Sequence, residues 1–405
     1  MVEGGGAKEF VAQKITGEDA FQIEKNLAQH ALSSGNRDTA WQHLSSLSRR
    51  LAVSPQNQET DVLFVSASLE LANVSFVLGK GFGELTDILQ KALTSAERTG
   101  DRRSVAMINL HLGRLYYFGE KRDIAMSVFA TGKSQAEALG DEDIMTQAAE
   151  FIGLYYFIQG RFREAIIYFE RAAQSFEKEK HGRVINPSGP LWLSYCAAFL
   201  GQFHRAIGTL DYYRRVALEG GDPNLATTLR AVLGIILLGI KKNREAYFHL
   251  SGAFQEARQT QNALAGYFAK GGLGMHHYLE GRLKDAQEWI RQIAEEGQTS
   301  GLIRQYASPI VIETLFELHR KGFTAVDGIN YPDEFQRIMR EQNIHLRGVA
   351  HRLKAAAGMD KGEAADVIES DLKRSEELLI QSGDPIQLGK TRLEMARRIL
   401  RSGNA

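Results

Sequence analysis

Apolar and small residues recur at two nested spacings: every three to four residues within a segment, and every 40 to 41 residues between segments. The stretches AMINLHLGRLYYFGEKRDIAMSVFATG (106–132) and TQAAEFIGLYYFIQGRFREAIIYFERA (146–172) share one skeleton. Gly113, Tyr116, Ala125, Phe129 and Gly132 in the first are matched 40 residues later by Gly153, Tyr156, Ala165, Phe169 and Ala172. The short spacing predicts amphipathic helices, and a pair this small must stack on a neighbour to bury its apolar face. The phase then persists: Ala125 to Ala165 is 40, Ala165 to Ala206 is 41, Ala206 to Ala246 is 40 and Ala246 to Ala286 is 40. Unrelated helices would not hold it.

The elements follow from this rhythm. Residues 18–52 divide at SSGN into two helices, and LFVSASLELANVSFVLG with TDILQKAL forms a worn copy of the pair. Two clear copies come next, entered through TGDRRS and LGDEDI, where aspartate can cap free amides at a helix start. EKEKHGRVINPSGP interrupts the rhythm with a loop centred on 186–190, and Pro190 suits the first turn of the next helix. Past Ile293 the pattern loosens, 344–357 and 362–380 make a further pair, and GDPIQLGKTRLEMARRIL opens one more repeat. The chain is therefore expected to divide into a flexible start (1–17), a main array of about seven helix pairs (18–300), and less regular helical repeats (301–405), the last expected to be incomplete and cut from a longer chain.

Composition narrows the function classes. Forty-nine basic and 49 acidic residues give a formal net charge of zero, so direct nucleic-acid binding is not expected beyond a stripe of Arg102, Arg103, Arg114 and Lys121. Cys196 is the single cysteine, which excludes an intrachain disulfide. The start MVEGGGAKEF has no apolar targeting core and later apolar runs are short, so a cytoplasmic protein without a membrane span is expected.

Candidate chemistry is sparse. The triplet Gly389-Lys390-Thr391 lacks the preceding glycine of a phosphate loop and falls in a helical pattern, where Lys390 reads as a solvated face. GKGFG at 79–83 reads as a turn. His276 and His277 are adjacent and do not point together, and Cys196 sits in WLSYCAAFL as a small core residue. No catalytic residue, cofactor or metal ligand is assigned, and the chain is not expected to be an enzyme.

The framework of Gly113, Tyr116, Gly119, Ala125, Phe129 and Gly132, repeated by Gly153, Tyr156, Gly160, Ala165, Phe169 and Ala172, resembles the tetratricopeptide repeat family. Gly201, Ala206 and Leu210 continue it, as do Gly234, Ala246 and Leu250, then Gly274, Gly281, Ala286 and Ile290. The period here is longer than that family's ~34 residues. With its GD-rich connectors, the chain is similar to the tetratricopeptide regions of large bacterial signal-responsive ATPase transcriptional regulators. The resemblance implies an all-α, right-handed superhelix of antiparallel helix pairs that serves as a sensor or docking region.

In such a stack the first helix of each pair lines the inner curve. The phase set by Gly113 and Gly153 places Asn109, Leu110, Arg114, Tyr117, Gln147, Glu150 and Phe157 there, followed by Trp192, Tyr195, Arg230, Phe268, Met275 and Tyr278. Aromatics beside Arg, Gln and Glu combine apolar contact with oriented hydrogen bonds. The competing reading puts Tyr117 and Phe157 in the core within a repeat and Trp192 over a layer edge. The expected function is a non-catalytic protein-binding scaffold or regulatory docking domain. Its expected partner is a protein or peptide, or a missing domain of the same protein. The alternative is a sensor holding a small effector on the concave surface, which an enclosed polar pocket would favour.

Overall fold

The computed structural model describes residues 17–55, 57–78, 80–119, 121–178, 188–300, 309–323 and 330–402. These residues form nineteen α-helices joined by short turns. Residues 1–16 of the expected flexible start at 1–17, residues 179–187 of the connector at 177–190 and the segment 324–329 lie outside the described residues. The chain forms two compact units that meet in sequence between Ile108 and Asn109.

The first unit holds α1 (Gly17–Ser33), α2 (Arg37–Leu51), α3 (Gln58–Leu78), α4 (Phe82–Thr99) and the start of α5 (Arg102–Phe118), with α1 to α4 packed in sequence order. The turn at SSGN ends α1, and Asn36 caps α2 by accepting from Thr39 N. Trp41 lies against Gly81 and donates from Nε1 to Ser75 Oγ at 3.0 Å. Buried Asp61 accepts from Ser95 Oγ at 2.8 Å, tying α3 to α4.

The second unit continues α5 from Asn109 and adds α6 (Arg122–Leu139), α7 (Glu142–Ile158), α8 (Phe162–Lys178), α9 (Ser188–Phe199), α10 (Phe203–Glu219), α11 (Pro223–Gly239), α12 (Asn243–Thr260), α13 (Ala263–Leu279) and α14 (Leu283–Ser300). The repeat skeleton is a packing rule. A Cβ on Gly113 would stand 2.7 Å from Phe129 Cγ, one on Gly153 2.7 Å from Phe169 Cε1, and one on Gly234 2.5 Å from Leu250 Cγ. A glycine on the first helix thus makes room for the bulky residue 16 positions later, and the helix axes approach closely. Ala165 on α8 is fully buried in this layer. Ala165→Leu is expected to destabilise the chain by about 1–3 kcal/mol. Unchanged thermal stability with unchanged helix packing would refute that packing role.

Turns carry the period as well. Asp141 and Asp222 cap α7 and α11 through bonds to Asp143 N and Leu225 N, as the GD connectors predict, and Asn262 caps α13 through Ala265 N. Helices end in left-handed residues: Gly140, Gly221 and Gln261 have φ of 62, 73 and 53°, and Gln261, like Lys241 at 63°, stands where glycine would be favoured. A side chain in that conformation costs about 1–2 kcal/mol, part of which glycine's extra chain entropy offsets. Gln261→Gly should therefore raise stability by about 1 kcal/mol, read from the urea midpoint; a midpoint that falls would refute this.

The unit is completed by α15 (Pro309–Arg320), α16 (Tyr331–Arg340), α17 (Ile344–Lys361), α18 (Ala365–Ser382) and α19 (Pro385–Ser402). These last helices pack back on earlier turns. Ile344 N donates to Gln159 O at 2.9 Å, beside Gly160 in the α7–α8 turn. Pro385 lies against Gly201 in the α9–α10 turn, and Gly383 lies against Arg163 and Leu200.

Candidate binding cavity

The return of the last helices forms a half-open cavity of ≈ 660 Å³ within the second unit, with α9, α11 and α13 on one side and α15, α17 and α19 on the other. The near wall repeats at the sequence period: Ala198, Leu238 and Tyr278 line it at intervals of 40 (238 − 198 and 278 − 238), as do Phe199, Gly239 and Leu279. Tyr195 and Phe199 have stacked rings 5.9 Å apart and belong to an aromatic layer with Trp192 and Phe157. This wall is mostly apolar. Tyr278 adds a polar tip: burial, with the charges of Glu317 and Glu313 nearby, pushes its phenol up to about 12, so it stays a hydrogen-bond donor at neutral pH.

The far wall carries the charge. Lys390 Nζ on α19 reaches both oxygens of Glu313 on α15, at 2.7 and 2.8 Å. Arg352 Nη2 on α17 donates to Glu313 Oε1 at 2.5 Å and to Gln387 Oε1 at 2.8 Å. Burial alone would raise the Glu313 pKa, but Arg352 and Lys390 outweigh it and hold the carboxyl below the usual carboxylate range. At the edge of the cavity, His345 Nε2 donates to Asp384 Oδ2 at 2.9 Å. Asp384 also accepts from Ile386 N and Gln387 N, so one side chain caps α19 and fixes it to α17.

The ten residues selected from the sequence go to several places. Tyr195 and Tyr278 line the cavity. Trp192 is buried with its ring 4.9 Å from that of Phe157, and Met275 is buried in the core. Arg114 on α5 and Glu150 on α7 come together, while Asn109 turns to α6. Asn109 Nδ2 donates to Gln135 Oε1 at 2.9 Å, and buried Arg114 donates to Glu150 Oε1 at 3.3 Å with its guanidinium 4.6 Å from the Phe151 ring. Buried as it is, Arg114 leaves no surface stripe with Lys121. Tyr117 is half-buried, 5.7 Å from the Arg122 guanidinium, and Gln147 is exposed. Arg230 pairs with Glu256 and lies 5.2 Å from the Phe248 ring, against α12.

Glu313, Arg352 and Gln387 have no signal in the 40-residue phase, because they lie on α15, α17 and α19, beyond the regular repeats. Lys390 is inside a helix as expected, and its side chain, 43% exposed, also pairs with Glu313. Burial raises the Cys196 thiol well above its ordinary value, which suits packing and not nucleophilic attack. The His276 ring lies tilted 4.9 Å from that of Tyr247 while His277 lies 3.9 Å from Asp285, so the two rings serve different neighbours. Among the described residues no group of three or more His, Cys, Asp or Glu could hold a metal ion, and no helix is long and apolar enough to cross a membrane.

No family model and no curated protein sequence matches the chain. Solved structures do. NprR in complex with its cognate peptide NprX is similar at a TM-score of 0.62 and 14% identity, over 89% of this chain and 99% of that one. The chain has a tetratricopeptide-like fold. A Rap protein complexed with Competence and Sporulation Factor gives 0.58 at 12% identity, over 94% and 99% of the two chains. The Rap conjugation gene regulator of the plasmid pLS20, in complex with the Phr* peptide, gives 0.55 at 12% identity, over 90% and 96%. The tetratricopeptide-like similarity thus runs through nearly the whole length on both sides.

Proposed function

We propose that this chain is a non-catalytic regulatory docking scaffold of the kind used in bacterial signalling or transcription control, and that the cavity of the second unit receives a peptide. The cavity carries this reading, because it sets an apolar aromatic wall against a hydrogen-bonded charged wall. Apolar side chains of an occupant fit the first, and polar groups fit the second. Three similar folds with bound peptides or a signalling factor, named above, support the choice of a peptide. The second reading, a small effector, is favoured by the volume of ≈ 660 Å³, inside the range of about 300–1,000 Å³ usual for small-molecule sites.

Filling the cavity tests both. Ala198 lines it and is nearly buried, so Ala198→Trp should abolish retention of peptides from a pool of randomised synthetic heptapeptides while leaving helicity and melting cooperativity intact. Retention of extract metabolites without peptides would establish the effector reading. Peptide retention unaffected by Ala198→Trp would remove the cavity from consideration.

A further inference from the structure

The three helices of the near wall end in Phe199-Leu200-Gly201, Gly239-Ile240-Lys241 and Leu279-Glu280-Gly281, 40 residues apart (239 − 199 and 279 − 239). In the first and third, a large side chain closes the helix and glycine takes the left-handed position, with φ of 77° at Gly201 and 75° at Gly281. The middle one reverses this order. Lys241 carries the left-handed φ of 63°, and glycine stands at the last residue of α11, where the helical backbone has no need of it. Packing does not require it either, because a Cβ on Gly239 would meet nothing within 4 Å. Gly83, Gly208 and Gly389 are as open on their helices, but they do not line the cavity. Two local preferences are thus broken within three residues of the cavity wall, and what the exchange creates there is space.

That space is a notch between Phe199 and Leu279, and its surroundings are apolar. Leu279, with Ile386 and Leu393 across the cavity on α19, presents an exposed apolar side chain. The aromatic layer ends at the notch, since Phe199 stacks on Tyr195. A ring seated over Gly239 would extend this layer, whereas an aliphatic side chain would gain only buried area.

We propose that Gly239 is a specificity-determining residue: the notch it leaves seats an aromatic side chain of the bound peptide. This rests on the peptide reading above and adds the kind of side chain that the cavity selects. Phe199 and Leu279 flank the ring, and Gly239 acts by lacking the side chain that both of them carry.

The test uses the full chain and three pools of randomised synthetic heptapeptides, scored by mass spectrometry of retained peptides. One pool contains Phe, Tyr and Trp, the second has Leu, Ile and Val in their place, and the third has neither set. The aromatic pool should be retained at least about tenfold better than the third, as the burial of one large apolar side chain implies. It should also exceed the aliphatic pool several-fold. Gly239→Leu, which gives α11 the residue that closes α13, should erase the aromatic preference while helicity and melting cooperativity are kept. Gly239→Ala separates space from backbone: retention of the aromatic pool should drop several-fold while the melting midpoint holds or rises, whereas a glycine needed by the fold would lower it. Equal retention of the aromatic and aliphatic pools overturns the aromatic assignment, and an aromatic preference that survives Gly239→Leu overturns the notch; both leave the peptide reading standing. A midpoint that falls in Gly239→Ala overturns the selective role of this glycine, and retention of no pool overturns the peptide reading with it.

Discussion

Gly160→Ala should cost the chain about 3 kcal/mol and detach α17 from the α7–α8 turn. Two separate effects add at this position. Gly160 has φ of 74°, where an alanine loses about 1–2 kcal/mol. Its added Cβ would also stand 2.7 Å from Asn343 Oδ1 and from His345 N, which belong to the capped start of α17 and cannot simply swing aside. Gly140 provides the comparison, because its φ is 62° and a Cβ there meets nothing within 4 Å. Gly140→Ala should therefore lose only the conformational part, about 1–2 kcal/mol. Urea titration of both variants gives the difference, and hydrogen exchange at the Ile344 amide locates it. Equal losses with undiminished Ile344 protection would show that the docking of α17 does not depend on Gly160.

Arg352→Met is the second large effect, at about 3 kcal/mol near neutral pH. The value sits at the low end for breaking a buried ion pair, since Glu313 retains Lys390 and its side chain is 15% exposed. A pH signature accompanies it. In the native chain Glu313 is held below the ordinary carboxylate value by Arg352 and Lys390 against the pull of burial. Its contribution to stability is fully present above the unfolded value of about 4.3 and is lost as pH falls through the lower folded value. Without Arg352 the folded value rises, so the loss begins at higher pH. Stability measured between pH 7 and pH 3 should show the native chain holding on into more acidic solution than Arg352→Met. Parallel profiles would deny Arg352 this role.

Much of the fold was legible because it is written in short-range terms. Gly113 with Phe129 and Gly153 with Phe169 lie within one helix pair, so their complementarity leaves a trace at fixed spacing. The caps Asp141, Asp222 and Asn262 are equally local. The candidate cavity was only half legible. Tyr195 and Tyr278 follow from the phase, because the near wall is built from the repeats themselves. Phase alone failed to separate an inward from an outward turn of a helix, which is why Arg230 was selected although it pairs with Glu256 against α12. The far wall was illegible for another reason. Glu313, Arg352 and Lys390 meet across three helices, with 39 residues between the first two and 38 between the last two (352 − 313 and 390 − 352), and no periodic motif links a charged residue to its partner at that range.

The bond between Gln159 and Ile344 joins residues 185 apart (344 − 159). Stacked helix pairs assemble from contacts close in sequence and can propagate from any pair. The closure contact must wait for the intervening pairs, and closing so long a loop carries a large entropy cost. Refolding should therefore be biphasic, with helices and repeat interfaces formed first and the cavity last. Aromatic burial at Tyr278 would then lag behind far-ultraviolet ellipticity, and the site would be the first part of the second unit to come apart and the last to be rebuilt.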